Sequence, residues 1–161
     1  MSDRPERAIR ILLADASRIT TMGIRQVIEK ESDMEIVGVA SDGEEAVAKT
    51  NELEPDVLVI EVDLPRLSGI KATQRVRREL PAVGVIILTA QDQEQILFEA
   101  IRAGAAAYLH KDCEPAELIG GSLQIQSTPG KGTAVTLLLP VEKKVEPLRA
   151  RRTERTHKEQ E

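Results

Sequence analysis

Four residues stand out for the chemistry they could do together: Asp15, Glu61, Thr89 and Lys111. Each follows a short apolar run: ILLA before Asp15, DVLVI before Glu61, VIIL before Thr89 and AAYLH before Lys111. If these runs are parallel strands of one open sheet, their carboxyl ends share a rim, and ligands of such sheets bind beyond that rim. A pair of carboxylates offers oxygen ligands to a hard divalent cation. A threonine hydroxyl donates a hydrogen bond, and a lysine neutralises a phosphoryl oxygen. Together they suit phosphoryl transfer or phosphate sensing. The plainer reading of the same four residues is an ion-pair network at strand ends.

Other reactive side chains carry less. His110 is next to Lys111, but a single surface histidine is usually unremarkable, and His157 falls in a charged stretch where water solvates it. Cys113 has no adjacent base and no CxxC partner, so it reads as an inert thiol.

The elements that must position the four residues alternate along the chain. Ile9 to Ala14 reads as a buried strand, and Ser17 offers a cap for a helix over RITTMGIRQVIEKE, with Ile19, Met22, Ile24, Val27 and Ile28 near one face. Met34 to Ala40 reads as a strand and Asp42 to Leu53 as a helix; Asp56 to Glu61 follows Pro55 as a third strand. Ser68 caps a helix running to about Leu80, which Pro81 stops. Val83 to Leu88 is a strand, Gln91 to Ala103 a helix closed by Gly104, and Ala105 to Leu109 a fifth strand. Near-continuous apolar strands with crossover helices predict an α/β fold, a parallel sheet covered on both faces. After Cys113 the pattern breaks. Glu114 to Ile119 reads as a truncated fifth helix ended by Gly120-Gly121, and SLQIQS and TAVTLLL alternate at period two around the turn residues TPGKG, which predicts a β-hairpin.

Composition narrows the function classes. Of 161 residues, 41% are hydrophobic and 30% charged, a mix typical of globular proteins, and aromatics are only 1%, so the core must be aliphatic. No apolar run is long enough for a membrane helix, and MSDRPERAIR has no signal-like apolar stretch. With one cysteine and no internal disulfide, the expected compartment is the cytoplasm. Net charge is −5, but residues 142–161 carry 7 basic against 5 acidic side chains, leaving 15 against 22 in the rest. An acidic body argues against a broad nucleic-acid surface. The cluster Arg149, Arg151, Arg152 and Arg155, interleaved with glutamate, reads as a solvated, disordered tail.

Taken as a set, ILLAD at 11–15, PDVLVIEVDLPRLSG at 55–69, VIILTA at 85–90 and RAGAAAYLHKD at 102–112 resemble bacterial response-regulator receiver domains, of the subfamily usually fused to a helix-turn-helix output domain. The resemblance covers residues 8–119, between an N-terminal extension at 1–7 and the hairpin at 120–141, with the charged tail at 142–161. It implies a flavodoxin-like, doubly wound sheet of strand order 2-1-3-4-5 and a role in two-component signalling without enzymatic activity. It implies a phosphate site with Thr89 and Lys111 and a switch partner in Tyr108. It also implies a Mg²⁺ site from Asp15, the acceptor side chain and the backbone carbonyl of Asp63.

Two positions depart from the pattern. The acceptor position, normally aspartate, is Glu61, and the second acidic residue after the first strand, normally a metal ligand, is Ala16. Both disfavour phosphorylation: glutamate moves its carboxylate by about 1 Å, which can cost about 100-fold in rate, and a lost ligand leaves Mg²⁺ weakly held. The expectation is a pseudo-receiver that binds a sensor histidine kinase or another signalling protein, with a homodimer open. The rivals are a receiver phosphorylated on Glu61 and a recombined fragment without evolved function. Residues 120–140 also resemble the closing hairpin of a histidine-kinase ATPase domain. The rest of that pocket has no counterpart, so no ATP is expected.

Overall fold

The computed structural model describes residues 7–91 and 93–111, together with the backbone of 123–128 and 132–137. The expected helix at 114–119 and the tail at 142–161 lie outside the described residues, as does nearly all of the N-terminal extension.

Five strands, β1 (Ile9–Ala14), β2 (Met34–Ala40), β3 (Val57–Ile60), β4 (Gly84–Thr89) and β5 (Ala107–His110), alternate with four helices, α1 (Arg18–Ile28), α2 (Gly43–Leu53), α3 (Gly69–Glu79) and α4 (Glu94–Ala103). The strands form one parallel sheet in the order β2-β1-β3-β4-β5. Every residue of β3 and β4 is buried, as expected of strands covered on both faces. One face packs Leu12, Leu58, Ile60, Val85 and Ile87 against Ala46, Val47, Ile70, Ala72, Val76 and Ala100 of α2, α3 and α4. The other face carries Ile11, Leu13, Val57, Val59, Ile86, Leu88, Ala107 and Leu109, with Ile28 of α1. The predicted hairpin is present as antiparallel strands β6 (Leu123–Thr128) and β7 (Gly132–Leu137), and the backbone of β7 comes close to β4. No helix among the described residues is long and apolar enough to cross a membrane.

The helix starts follow from their caps. Ser17, Asp42 and Ser68 each accept a backbone N–H three residues on, satisfying donors that the first turn leaves open. Gly104, at φ 93°, closes α4 with its N–H on the carbonyls of Ala100 and Ile101.

Three expectations are corrected. Ile19 and Met22 were expected on the inner face of α1 but are 85% and 59% exposed. At about 100° per residue, Thr21, Ile24 and Ile28 fall on one side, and Ile19 and Met22 turn away from it. The helix expected from Gln91 starts at Glu94, because the Gln91 N–H turns to the Thr89 hydroxyl oxygen instead of entering a helical turn. The fifth strand starts at Ala107 and not Ala105, since the Ala105 N–H still bonds the Ala100 carbonyl at the end of α4.

Candidate functional site

The parallel register places the strand ends together. Ala14 pairs with both Ala40 and Ile60, and Thr89 with His110, so Asp15, Glu61, Thr89 and Lys111 emerge on one rim. Asp15, Glu61 and Thr89 are buried. The loop after β3 is pinned by close packing. The Gly69 N–H donates to the Val62 carbonyl at 2.8 Å, and a Cβ on Gly69 would lie 2.0 Å from the Glu61 carbonyl oxygen. Only glycine permits α3 to start this close to the end of β3.

Lys111 is the hub of the charges. Its Nζ lies 2.8 Å from Asp15 Oδ2 and 2.6 Å from Glu61 Oε2. The remaining oxygens are also engaged: Asp15 Oδ1 accepts from the Ser17 N–H at 2.7 Å, and Glu61 Oε1 accepts from Val62 N at 2.6 Å and Asp63 N at 3.3 Å. Burial by itself pushes the Glu61 carboxyl up. Hydrogen bonds from Lys111, Thr89 and the Asp63 N–H, with the lysine's charge, outweigh it and hold the group below its ordinary 4.5. Burial likewise pulls Lys111 down, but its bonds to Asp15 and Glu61 and their charges raise it above 10.5.

Tyr108 packs against the larger half of the core, and its hydroxyl donates to the Gln91 carbonyl at 2.7 Å. The Gln91 N–H donates to Thr89 Oγ1 at 3.2 Å, and its side-chain amide donates to Asp63 Oδ2. The structure therefore brings together Asp15, Glu61, Thr89, Lys111 and, through Gln91, Tyr108 and Asp63. Sequence reading took Gln91 for helix and assigned it no part in the site. The available signal was its place two residues past Thr89, where a hydroxyl can capture a backbone N–H. Ala16 lies beside Asp15 and presents only a methyl group. The His110 ring meets the Ala90 carbonyl at 3.0 Å. Cys113, His157 and the arginine cluster lie outside the described residues. Among the described residues, no group of three or more His, Cys, Asp or Glu side chains is placed to hold a metal ion.

A five-stranded sheet of this order, with two carboxylates, a threonine and a lysine on its carboxyl rim, defines a class of signalling domain, and sequence comparison agrees. The profile of the response regulator receiver domain matches residues 11–121, so the chain belongs to that family. Over 111 residues it is 43% identical to the uncharacterized transcriptional regulatory protein YxjL of Bacillus subtilis, covering 69% of this chain and 51% of the relative. It is 37% identical to the transcriptional regulatory protein LiaR of the same organism, covering 68% and 52%. Among solved structures, a LuxR-family two-component response regulator from Aurantimonas sp. SI85-9A1 superposes with a TM-score of 0.67 at 34% identity, covering 70% of this chain and 80% of that one. The chain spans about half the length of the curated relatives it matches.

Proposed function

We propose that this chain is a pseudo-receiver, a signalling module that acts by protein–protein contact, with the Glu61 carboxylate engaged where a phosphoryl group would be read. One observation carries the reading: Lys111 Nζ lies 2.6 Å from Glu61 Oε2. A phosphoryl group at this rim would call on that ammonium to neutralise its oxygens. Here the longer glutamate side chain reaches it without modification. The inward packing of Tyr108 and its bond to Gln91 support a switch already set.

Magnesium is the cofactor that membership of the family implies, and the donors present do not fit it. The cation needs a near-octahedral oxygen shell. All four carboxylate oxygens of Asp15 and Glu61 already accept hydrogen bonds, two of them from the Lys111 ammonium, and Ala16 supplies none. The reading therefore includes no metal-assisted transfer. The partner face we propose is α4, where Leu97, Phe98 and Ile101 are exposed along one stripe, a contiguous apolar patch of the kind that marks protein–protein contacts.

Incubation with acetyl phosphate and Mg²⁺, followed by intact-mass measurement, tests the reading. The expected result is no adduct. A mass gain of about 80 Da that Glu61→Gln abolishes would replace the pseudo-receiver by a receiver phosphorylated on Glu61.

A further inference from the structure

Gln91 makes three different hydrogen bonds. Thr89 Oγ1 accepts from the Gln91 N–H, and the Gln91 amide donates to Asp63 Oδ2. The Asp63 N–H in turn donates to Glu61 Oε1 at 3.3 Å. These bonds join the loop after β3 to the loop after β4. Tyr108 hangs from Gln91 by the bond of its hydroxyl to the Gln91 carbonyl.

We propose that the Asp63–Gln91 bridge is a clasp, and that Gln91 is a positioning residue that holds Tyr108 inward. A loop carbonyl is a fixed acceptor only if the loop is fixed, and Gln91 precedes the first turn of α4, so no helical hydrogen bond locks it. The Thr89 bond fixes the Gln91 N–H end. The charge-assisted bond to Asp63 supplies a second point, from across the site, and two points set the direction of the carbonyl. Glu61 anchors this bridge through the Asp63 N–H, so its position is passed through Asp63 and Gln91 to Tyr108. The inference rests on the pseudo-receiver reading only in that Glu61 is the anchor.

The chain has one tyrosine and no tryptophan, so its tyrosine emission reports Tyr108 alone. The test is acrylamide quenching of that emission in the full chain, with circular dichroism checking that each variant is folded. Gln91→Met removes the amide but keeps the length and both backbone bonds. Asp63→Ala removes the acceptor, and Asp63→Asn keeps one. Losing a charge-assisted hydrogen bond reweights two states by about tenfold, enough to turn a Tyr108 held inward into a mixed population. Gln91→Met and Asp63→Ala are each expected to raise the quenching constant about twofold, the double variant no further, and Asp63→Asn to leave it unchanged. If Gln91→Met and Asp63→Ala both quench like the unaltered chain, the clasp is overturned. Glu61→Ala separates the two claims: raised quenching there, with silent clasp variants, leaves the pseudo-receiver reading standing and removes only the clasp. Raised quenching in the clasp variants with none in Glu61→Ala keeps the clasp and removes Glu61 as its anchor.

Discussion

Lys111 Nζ stands 2.6 Å from Glu61 Oε2, and the same ammonium reaches Asp15 Oδ2 at 2.8 Å. One cation thus balances two carboxylates that are both buried, with the lysine side chain itself only 22% exposed. Removing it strands two negative charges away from water. Lys111→Met should therefore destabilise the fold by roughly 3–5 kcal/mol, the range for breaking a buried pair from one side. Urea unfolding measures this. A loss under about 1 kcal/mol would mean that water solvates the carboxylates freely at the rim.

The same pair sets a pH dependence. Burial favours the neutral form of Glu61, but the bonds from Lys111, Thr89 and the Asp63 N–H win and hold its pKa below 4.5. A carboxyl lowered by folding contributes stability above its unfolded value, and that contribution is lost as pH falls through the folded one. Lys111, raised above 10.5 against the pull of burial, contributes fully below that value and loses its contribution as pH climbs past the folded one. Thermal melts should therefore fall more steeply below pH 4.5 in the unaltered chain than in Glu61→Gln, which has no carboxyl to protonate. Parallel curves would show that Glu61 is not held in its charged form.

Gly69 offers a test of how tightly the acceptor position is built. A methyl group there would lie 2.0 Å from the Glu61 backbone oxygen and 3.0 Å from Val62 Cα, both rigid backbone. Gly69→Ala must push α3 away from the end of β3, and overpacking of this kind costs about 1–3 kcal/mol. Because the Gly69 N–H also bonds the Val62 carbonyl, the shift should move the Glu61 carboxylate as well. Tyr108 emission should change along with the denaturation midpoint. A stability loss with unchanged emission would show that the loop absorbs the methyl without disturbing the site.

The rim was legible in the sequence because it depends on strands that announce themselves. Leu12, Leu58, Ile60, Val85 and Ile87 are buried on a sheet packed from both sides, so their runs are nearly all apolar, and Asp15, Glu61, Thr89 and Lys111 mark where the runs end. Gln91 was illegible for the opposite reason. Its position depends on a hydroxyl capturing a backbone N–H and on a carboxylate from another loop, neither of which leaves a period or composition to read. Ile19 and Met22 misled because apolar residues close together on α1 look like one face, whereas Thr21 takes the buried position between them. The sharing of Lys111 between two carboxylates spans 96 residues of chain and follows only once the sheet order is known.

The hairpin gives the last prediction. Ile86, Leu88, Ala107 and Leu109 are all buried, on the sheet face that α1 covers through Ile28. β5 ends the sheet, and among the described residues α1 is the only helix that contributes buried residues to this face. The backbone of β7 comes close to β4, and the prediction is that the hairpin covers the far half of this face. On this argument the segment after residue 119 belongs to the fold. Truncation there should expose those four side chains and lower stability by roughly 3–6 kcal/mol, given typical values for burying aliphatic groups. A dye that binds apolar surface should gain fluorescence, and near-UV ellipticity from Tyr108 should weaken, since β4 and β5 carry both Thr89 and Tyr108. If the truncated chain instead melts like the full one and binds no dye, the hairpin is an appendage, and α1 alone suffices to cover that face.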